Sequence, residues 1–255
     1  MSESLPEMGD WDAIFDETYL QSYLPFLDEE RTREEALGAV ALAGVEPGAE
    51  VLDCPVGFGR HAVVLVEAGY RVTGLDRSEI QLAEAERRRG DAEWPRLVLG
   101  DYRELPFADA CFDAVLNLFT SLGYLDRDGD VGVLRELRRV LRPGGALVVE
   151  TMHRDRLSRV FVGRHWDRLP DGSLFLQERE ADWVAGTCST LHMIVTPDGE
   201  RIERHFVHRP YSATEWVEML GQAGFDEIDC FADWSGDTPA TPDRRLIVRA
   251  RRGDD

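Results

Sequence analysis

Between Val51 and Met152, short apolar runs alternate with stretches whose apolar residues recur every three or four positions. The runs Val51–Cys54, Arg71–Asp76, Leu97–Gly100, Phe112–Leu118 and Ala146–Met152 predict strands. The stretches Arg60–Ala68, Ser78–Arg89 and Gly129–Leu141 predict helices. Gly69 closes the first, Ser78 is placed to cap the second, and Pro143-Gly144-Gly145 stops the third. Strands this apolar, separated by helices, predict a parallel sheet buried on both faces. Upstream, Trp11, Ile14, Phe15, Tyr19, Tyr23 and Leu27 carry a helical spacing interrupted by Pro25. A second helix is expected over Thr32–Ala43, ended by Gly44 and Pro47.

The pattern changes after His153. Leu174–Trp183, Ser189–Val195 and Glu203–Arg209 read as strands with no helix between them, and Pro197-Asp198-Gly199 is a turn for the last pair. An antiparallel unit is therefore expected. Ser212-Ala213-Thr214-Glu215 is a capping box that opens a helix to Ala223, closed by Gly224. Phe225–Ala232 and Leu246–Ala250 are expected to pair as a terminal antiparallel hairpin. The division expected is an N-terminal helical cap (1–44), a sheet core (45–152 and 211–252) and an antiparallel insertion (153–210) serving as substrate lid or dimer interface.

Length and composition narrow the function. The 255 residues suffice for one α/β domain with an elaboration. No apolar run approaches the ~20 residues needed to span a bilayer, and the acidic start Met1-Ser2-Glu3-Ser4-Leu5-Pro6-Glu7 lacks a signal peptide's features. A cytoplasmic location and no membrane partner are expected. The net charge is −20 and lysine is absent, every basic residue other than histidine being arginine. Such a surface repels phosphate backbones, so no nucleic-acid partner is expected. The four cysteines are scattered without a CxxC pair, which argues against a metal site and a disulfide framework.

The chemistry concentrates at predicted strand ends. Asp53, Asp76 and Asp101 close three successive strands, and in a parallel sheet those ends share one crevice. After Asp53 comes the turn Pro55-Val56-Gly57-Phe58-Gly59. Gly57 and Gly59 remove the Cβ atoms that would hold a ligand off the backbone, and the following helix offers free N–H groups. Asp53 can accept from a ligand ammonium. Asp76, 17 residues beyond Gly59, falls where a ribose-binding acid belongs. Asp101-Tyr102 is placed to bind an adenine amino group and cover the ring. The plainer reading of any one such Asp is a turn former or helix cap.

On these residues the chain resembles the class I S-adenosylmethionine-dependent methyltransferases, of the small-molecule type. The matching segments are Val51 to Gly59, Gly74-Leu75-Asp76, Gly100-Asp101, Phe112 to Asn117, Leu141 to Gly145, and Tyr211 to Phe225. The resemblance implies a Rossmann-like, doubly wound, seven-stranded sheet with its last strand antiparallel, here with the inserted β unit. It implies S-adenosyl-L-methionine as cofactor and in-line methyl transfer to N or O of a small-molecule acceptor by a monomer or homodimer. It places Gly57 against the methionine moiety, Asp76 with neighbouring Arg77 at the ribose, and Asp101 with Tyr102 at the adenine. Asn117 and Phe119 face the methionine and the substrate. One departure is Pro55, which stands where the family has its first turn glycine and lacks an N–H; the turn is expected to keep its path.

Tyr19 and Tyr23, one helical turn apart, are candidates to close over the sulfonium, the alternative being that they pack their helix onto the core. His153 and Tyr124 are the candidate catalytic groups, with Arg209 also expected near the acceptor. Two other readings use the same residues. Gly57-Phe58-Gly59-Arg60-His61-Ala62 also fits a dinucleotide pattern, which would make an NAD(P)-dependent oxidoreductase. A non-catalytic, cofactor-binding scaffold is the third.

Overall fold

The computed structural model describes residues 14–90, 93 and 95–254; Trp11 and the first residues read above lie outside them. The chain begins with α1 (Glu17–Tyr23), a 3₁₀ turn at Leu24–Phe26 that accommodates Pro25, and α2 (Glu29–Ala43). Alternating elements follow: β1 (Glu50–Asp53), α3 (Arg60–Glu67), β2 (Arg71–Asp76), α4 (Glu79–Arg89), β3 (Arg96–Leu99), β4 (Phe112–Asn117), α5 (Arg127–Val140) and β5 (Leu141–Thr151). Then come α6 (Arg154–Val160), β6 (Arg164–Arg168), β7 (Leu174–Asp182), β8 (Thr187–Val195), β9 (Arg201–His208), α7 (Ala213–Gln222), β10 (Asp226–Phe231) and β11 (Leu246–Arg251).

Seven strands form one sheet in the order β10-β11-β5-β4-β1-β2-β3. β1 to β5 run parallel, and β11 is antiparallel to both β5 and β10. The expected terminal hairpin is therefore present. The sheet is buried on both faces, as its apolar strands require. Leu134 and Leu137 of α5 pack on one face with Trp216 and Met219 of α7. Ala36 and Val40 of α2 pack on the other with Leu65 of α3.

Local signals set most boundaries. Ser78 Oγ accepts from Gln81 N and starts α4, and Ser212 with Glu215 makes the complete capping box of α7. α2 starts earlier than Thr32 because Asp28 caps it, accepting from Arg31 N at 3.0 Å. β5 starts at Leu141, so Pro143, Gly144 and Gly145 lie within the strand rather than only ending the helix before it. The register shift beside Phe112 accommodates them.

The second sheet is antiparallel, in the order β6-β7-β8-β9. The turn at Pro197-Asp198-Gly199 joins β8 to β9, with Gly199 N donating to Thr196 O at 2.9 Å. Two elements of this region go beyond the sequence expectation. α6 is a short helix opened by His153, and β6 is a largely exposed edge strand whose pattern carries no apolar alternation. Among the described residues no helix is long and apolar enough to cross a membrane.

Candidate active site

The carboxyl edge of the large sheet carries a cavity of about 860 Å³. Its floor is the turn after β1. Cys54 N donates to Leu116 O, and Val56 N donates to Leu75 O at 2.8 Å, so the turn is stitched to β4 and β2. The Cys54–Pro55 peptide is cis, and the turn keeps its backbone anchors with proline at that position. Gly57 has φ +54°, in the left-handed region that a β-carbon disfavours. A β-carbon there would meet only Gln81 Oε1, at 3.8 Å, so Gly57 opens directly onto the cavity.

Asp76 is the acid of this cavity. Its Oδ2 accepts from Gly57 N at 2.8 Å and its Oδ1 from Ser78 N at 2.9 Å. The carboxylate thus ties the glycine turn to the start of α4. Burial raises its pKa, with the backbone donors of Ser78 and Gly57 opposing the shift. Pro55, Arg77, Tyr102, Tyr19, Phe119 and Tyr124 also line the cavity.

Other expected residues sit differently. Asp53 is 1% exposed and Asn117 fully buried; neither lines the cavity. Asn117 Nδ2 donates to Cys54 O at 2.8 Å and so braces the turn from below. Burial pushes the Asp53 carboxyl up to about 7, and its Oδ2 has no hydrogen-bond partner among the described residues. Gly59 is the N-cap of α3, where a β-carbon would press on Ala85 Cβ at 3.0 Å; its role is close packing of α3 on α4. Asp101 is engaged by Arg103, whose Nη2 reaches Oδ2 at 2.6 Å, and it also accepts from Arg103 N. That is the turn-forming role of a strand-end acid. Gly100 and Tyr102 reach the cavity; Asp101 does not line it.

Two polar residues that no motif in the sequence marks also belong here. Arg60, at the start of α3, is 9% exposed. Its Nη1 lies 2.6 Å from Glu35 Oε2 and its guanidinium 4.9 Å from the Phe119 ring. Its Nη2 has no partner among the described residues. Gln81, in the first turn of α4, is 2% exposed, and among the described residues neither amide atom is bonded. Both line the cavity. Buried polar atoms of this kind are normally satisfied, and their orphaning beside a glycine cradle and an acid fits a polar ligand. The available signal was their place at the amino ends of helices that start from the same sheet edge.

A second cavity, of about 1020 Å³, adjoins the first beneath the small sheet. Strand alternation sends Gln177 and Arg179 of β7, Cys188, Thr190 and His192 of β8, and Phe206 and His208 of β9 into it. Burial, then Arg179, drives the His192 imidazole down to about 3. Burial likewise takes His208 to about 4, although its Nε2 is 2.9 Å from Leu122 O. Tyr23 stacks edge-on against Phe175 and Phe119 and lines this second cavity. Tyr19, Phe119, Thr120 and Tyr124 line both cavities and form the passage between them.

That passage is strained. Phe119 and Thr120, neither a glycine, have φ of +64° and +60°. Glu150 holds the pair: its Oε2 accepts from Phe119 N at 2.9 Å and its carbonyl from Thr120 N at 3.0 Å. Arg245 closes on the Glu150 carboxylate and also donates to Thr120 Oγ1 at 2.5 Å. His153 lines neither cavity; its Nδ1 accepts from Asp155 N at 3.1 Å as the cap of α6. Arg209 lines neither, and its Nη1 donates to Ala185 O.

Comparison with known proteins points to the same family. Residues 51–145 match the methyltransferase-domain family. The demethylmenaquinone methyltransferase of Beutenbergia cavernae is 42% identical over 106 residues. That match covers 42% of this chain and 42% of that protein. Among solved structures, the CcbJ methyltransferase of Streptomyces caelestis superposes with a TM-score of 0.77 at 24% identity, covering 93% of this chain and 96% of that one. The S-adenosylmethionine-bound CalS10, an amino pentose methyltransferase of Micromonospora echinaspora, gives 0.69 at 20% identity, covering 98% and 100%. With the seven-stranded sheet and the glycine cradle at its carboxyl edge, these matches support a class I S-adenosylmethionine-dependent methyltransferase.

Proposed function

We propose that this enzyme methylates a nitrogen, or secondarily an oxygen, of a small molecule held in the second cavity. The observation that carries the reading is the shared wall: Tyr19, Phe119, Thr120 and Tyr124 border both cavities, so a group passing from one to the other crosses them. When bound, S-adenosylmethionine supplies an electrophilic methyl on a sulfonium. The residues of the first cavity fit it. The Asp76 carboxylate, with Gly57 N, Ser78 N and Arg77 N as backbone donors, keeps acceptor capacity for a ribose hydroxyl. Tyr102 covers the adenine, Gly57 leaves room for the methionine chain, and Arg60 Nη2 takes its carboxylate. The four aromatic and hydroxyl side chains of the passage hold donor and acceptor in line and exclude water.

The electrostatics of the second cavity favour nitrogen over oxygen. A hydroxyl nucleophile gains from a general base, yet His192 at about 3 and His208 at about 4 are weak ones. A neutral amine needs no base. KedS8 of Streptoalloteichus, which shares the fold with a TM-score of 0.71, is a sugar N-methyltransferase. The 153–210 segment serves as a lid in this reading, since three of its strands line the acceptor cavity.

The test fills the acceptor cavity. Thr190→Trp should stop S-adenosylhomocysteine formation on a mixed panel of small amines and alcohols while leaving its binding unchanged. Undiminished turnover in the folded variant would refute the assignment of the second cavity.

A further inference from the structure

The second cavity carries an electrostatic imbalance at odds with the rest of the molecule. The chain bears 49 acidic residues against 29 arginines, yet among the described residues no Asp or Glu lines this cavity. Two arginines do, Arg179 and Arg245. Arg245 is neutralised by the buried Glu150. Other arginines of limited exposure are paired in the same way, Arg60 with Glu35 and Arg204 with Asp16. Arg179 differs. Its Nη2 donates to Gln177 Oε1 at 2.6 Å, and among the described residues no carboxylate lies within ion-pair distance. Gln177 in turn meets His192 Nε2 at 3.1 Å, which holds the amide oxygen towards Arg179.

The groups around it cannot supply the missing charge. Burial lifts the Tyr23 phenol to about 12, with Arg179 pulling against the shift, so it stays neutral. His192 stays neutral as well. Burial raises the Cys188 thiol above its ordinary value, with Thr190 and Arg179 opposing. The cavity therefore holds one net positive charge on a planar, multidentate donor, the geometry that takes carboxylate or phosphate oxygens in pairs.

Building on the reading of this cavity as the acceptor site, we propose that the acceptor carries an anionic group, a carboxylate or a phosphate, bound by Arg179. Gln177 is a positioning residue that fixes the guanidinium. The anion then sits at the roof, on β7, and the accepting atom lies at the Phe119–Thr120 passage. An acceptor with an amine at one end and an anion at the other meets both requirements.

The experiment uses the full chain saturated with S-adenosylhomocysteine and two probes, inorganic phosphate followed by phosphorus line broadening and acetate followed by saturation transfer. Wild type should show saturable binding of at least one anion, and the preferred one tells a phosphorylated acceptor from a carboxylated one. Arg179→Met should weaken it about tenfold or more, the loss of one charge-assisted contact. Arg179→Lys should recover part of it. Arg159→Met, which alters an exposed arginine paired with Asp243, should behave as wild type. S-adenosylhomocysteine affinity in the same samples reports that each variant is folded. If neither anion binds wild type, or Arg179→Met binds as well as wild type, the anionic-acceptor inference fails. The acceptor-cavity reading is tested separately, by turnover of Thr190→Trp.

Discussion

Replacing Asp76 by alanine probes the cofactor cavity at its most connected point. In the free enzyme each carboxylate oxygen takes one backbone donor, Gly57 N at 2.8 Å and Ser78 N at 2.9 Å. Arg77 N donates to the carboxylate as well, and the acceptor capacity that remains is there for the ribose hydroxyls. A hydrogen bond to a charged group contributes roughly 1.5–3 kcal/mol, so two amount to about 3–6 kcal/mol. Water entering the truncated site recovers part of this, and a loss of at least about tenfold in affinity is expected, with about a hundredfold or more if little is recovered. The same substitution frees two backbone donors of the turn and of α4, so the apo protein should also lose about 1–3 kcal/mol. Stability and affinity must therefore be measured together, by urea unfolding of the free protein and calorimetry with S-adenosylhomocysteine. Burial raises the Asp76 pKa. Wild-type affinity should then weaken as pH falls through a value above the ordinary one for an aspartate, and this dependence should vanish in the variant. Unchanged affinity in a folded Asp76→Ala protein would refute the ribose assignment and the role given to the strand-end acid.

Further outcomes follow from the same geometry. Gly57→Val should abolish cofactor binding, because its side chain enters the cavity at φ +54°. Asp101→Ala should have the milder effect, since Arg103 already occupies that carboxylate; equal calorimetric losses would contradict the cradle. The folded-state pKa of Asp53, about 7, lies above its ordinary value of 3.8. Between those values the folded protein holds a proton that the unfolded chain releases, so stability falls as pH rises through that window. Asp53→Asn should flatten the pH dependence of urea stability from about pH 4 to about pH 8 and exceed wild type at the upper end; parallel curves would show that Asp53 does not titrate there. Arg245→Met leaves the buried Glu150 charge without its partner and should cost about 3–5 kcal/mol. It should also lower kcat more than cofactor affinity by releasing the Phe119–Thr120 passage; an unaltered kcat would separate that strain from catalysis.

The sheet core was legible because its signals are local. Apolar strands, helix caps such as Ser78 and Ser212, and the Gly57 turn each act within a few residues, and the structure keeps them all. The glycine turn alone fits an NAD-dependent enzyme equally well; the match of residues 51–145 to the methyltransferase domain supports methyl transfer instead. What the sequence concealed depends on distant pairing. Asp101 reads as an adenine ligand until Arg103 is seen to close on it. His153 follows a core strand and reads as catalytic, but α6 starts there and takes its ring as a cap. Arg60 and Gln81 read as ordinary helix residues until the cavity shows their polar atoms unpaired. The acceptor wall was half visible. The period-two alternation of Cys188, Thr190 and His192 marks one face of β8, but nothing in the chain tells which way that face turns.

The central claim is that the methyl group passes between two cavities at the Tyr19, Phe119, Thr120 and Tyr124 wall. A crystal structure with S-adenosylhomocysteine bound tests it directly. The ribose should lie on Asp76 and the sulfur at that wall, facing the cavity lined by Arg179 and His192. A sulfur atom directed to bulk solvent, or separated from the small sheet by the Phe119–Thr120 backbone, would contradict the account.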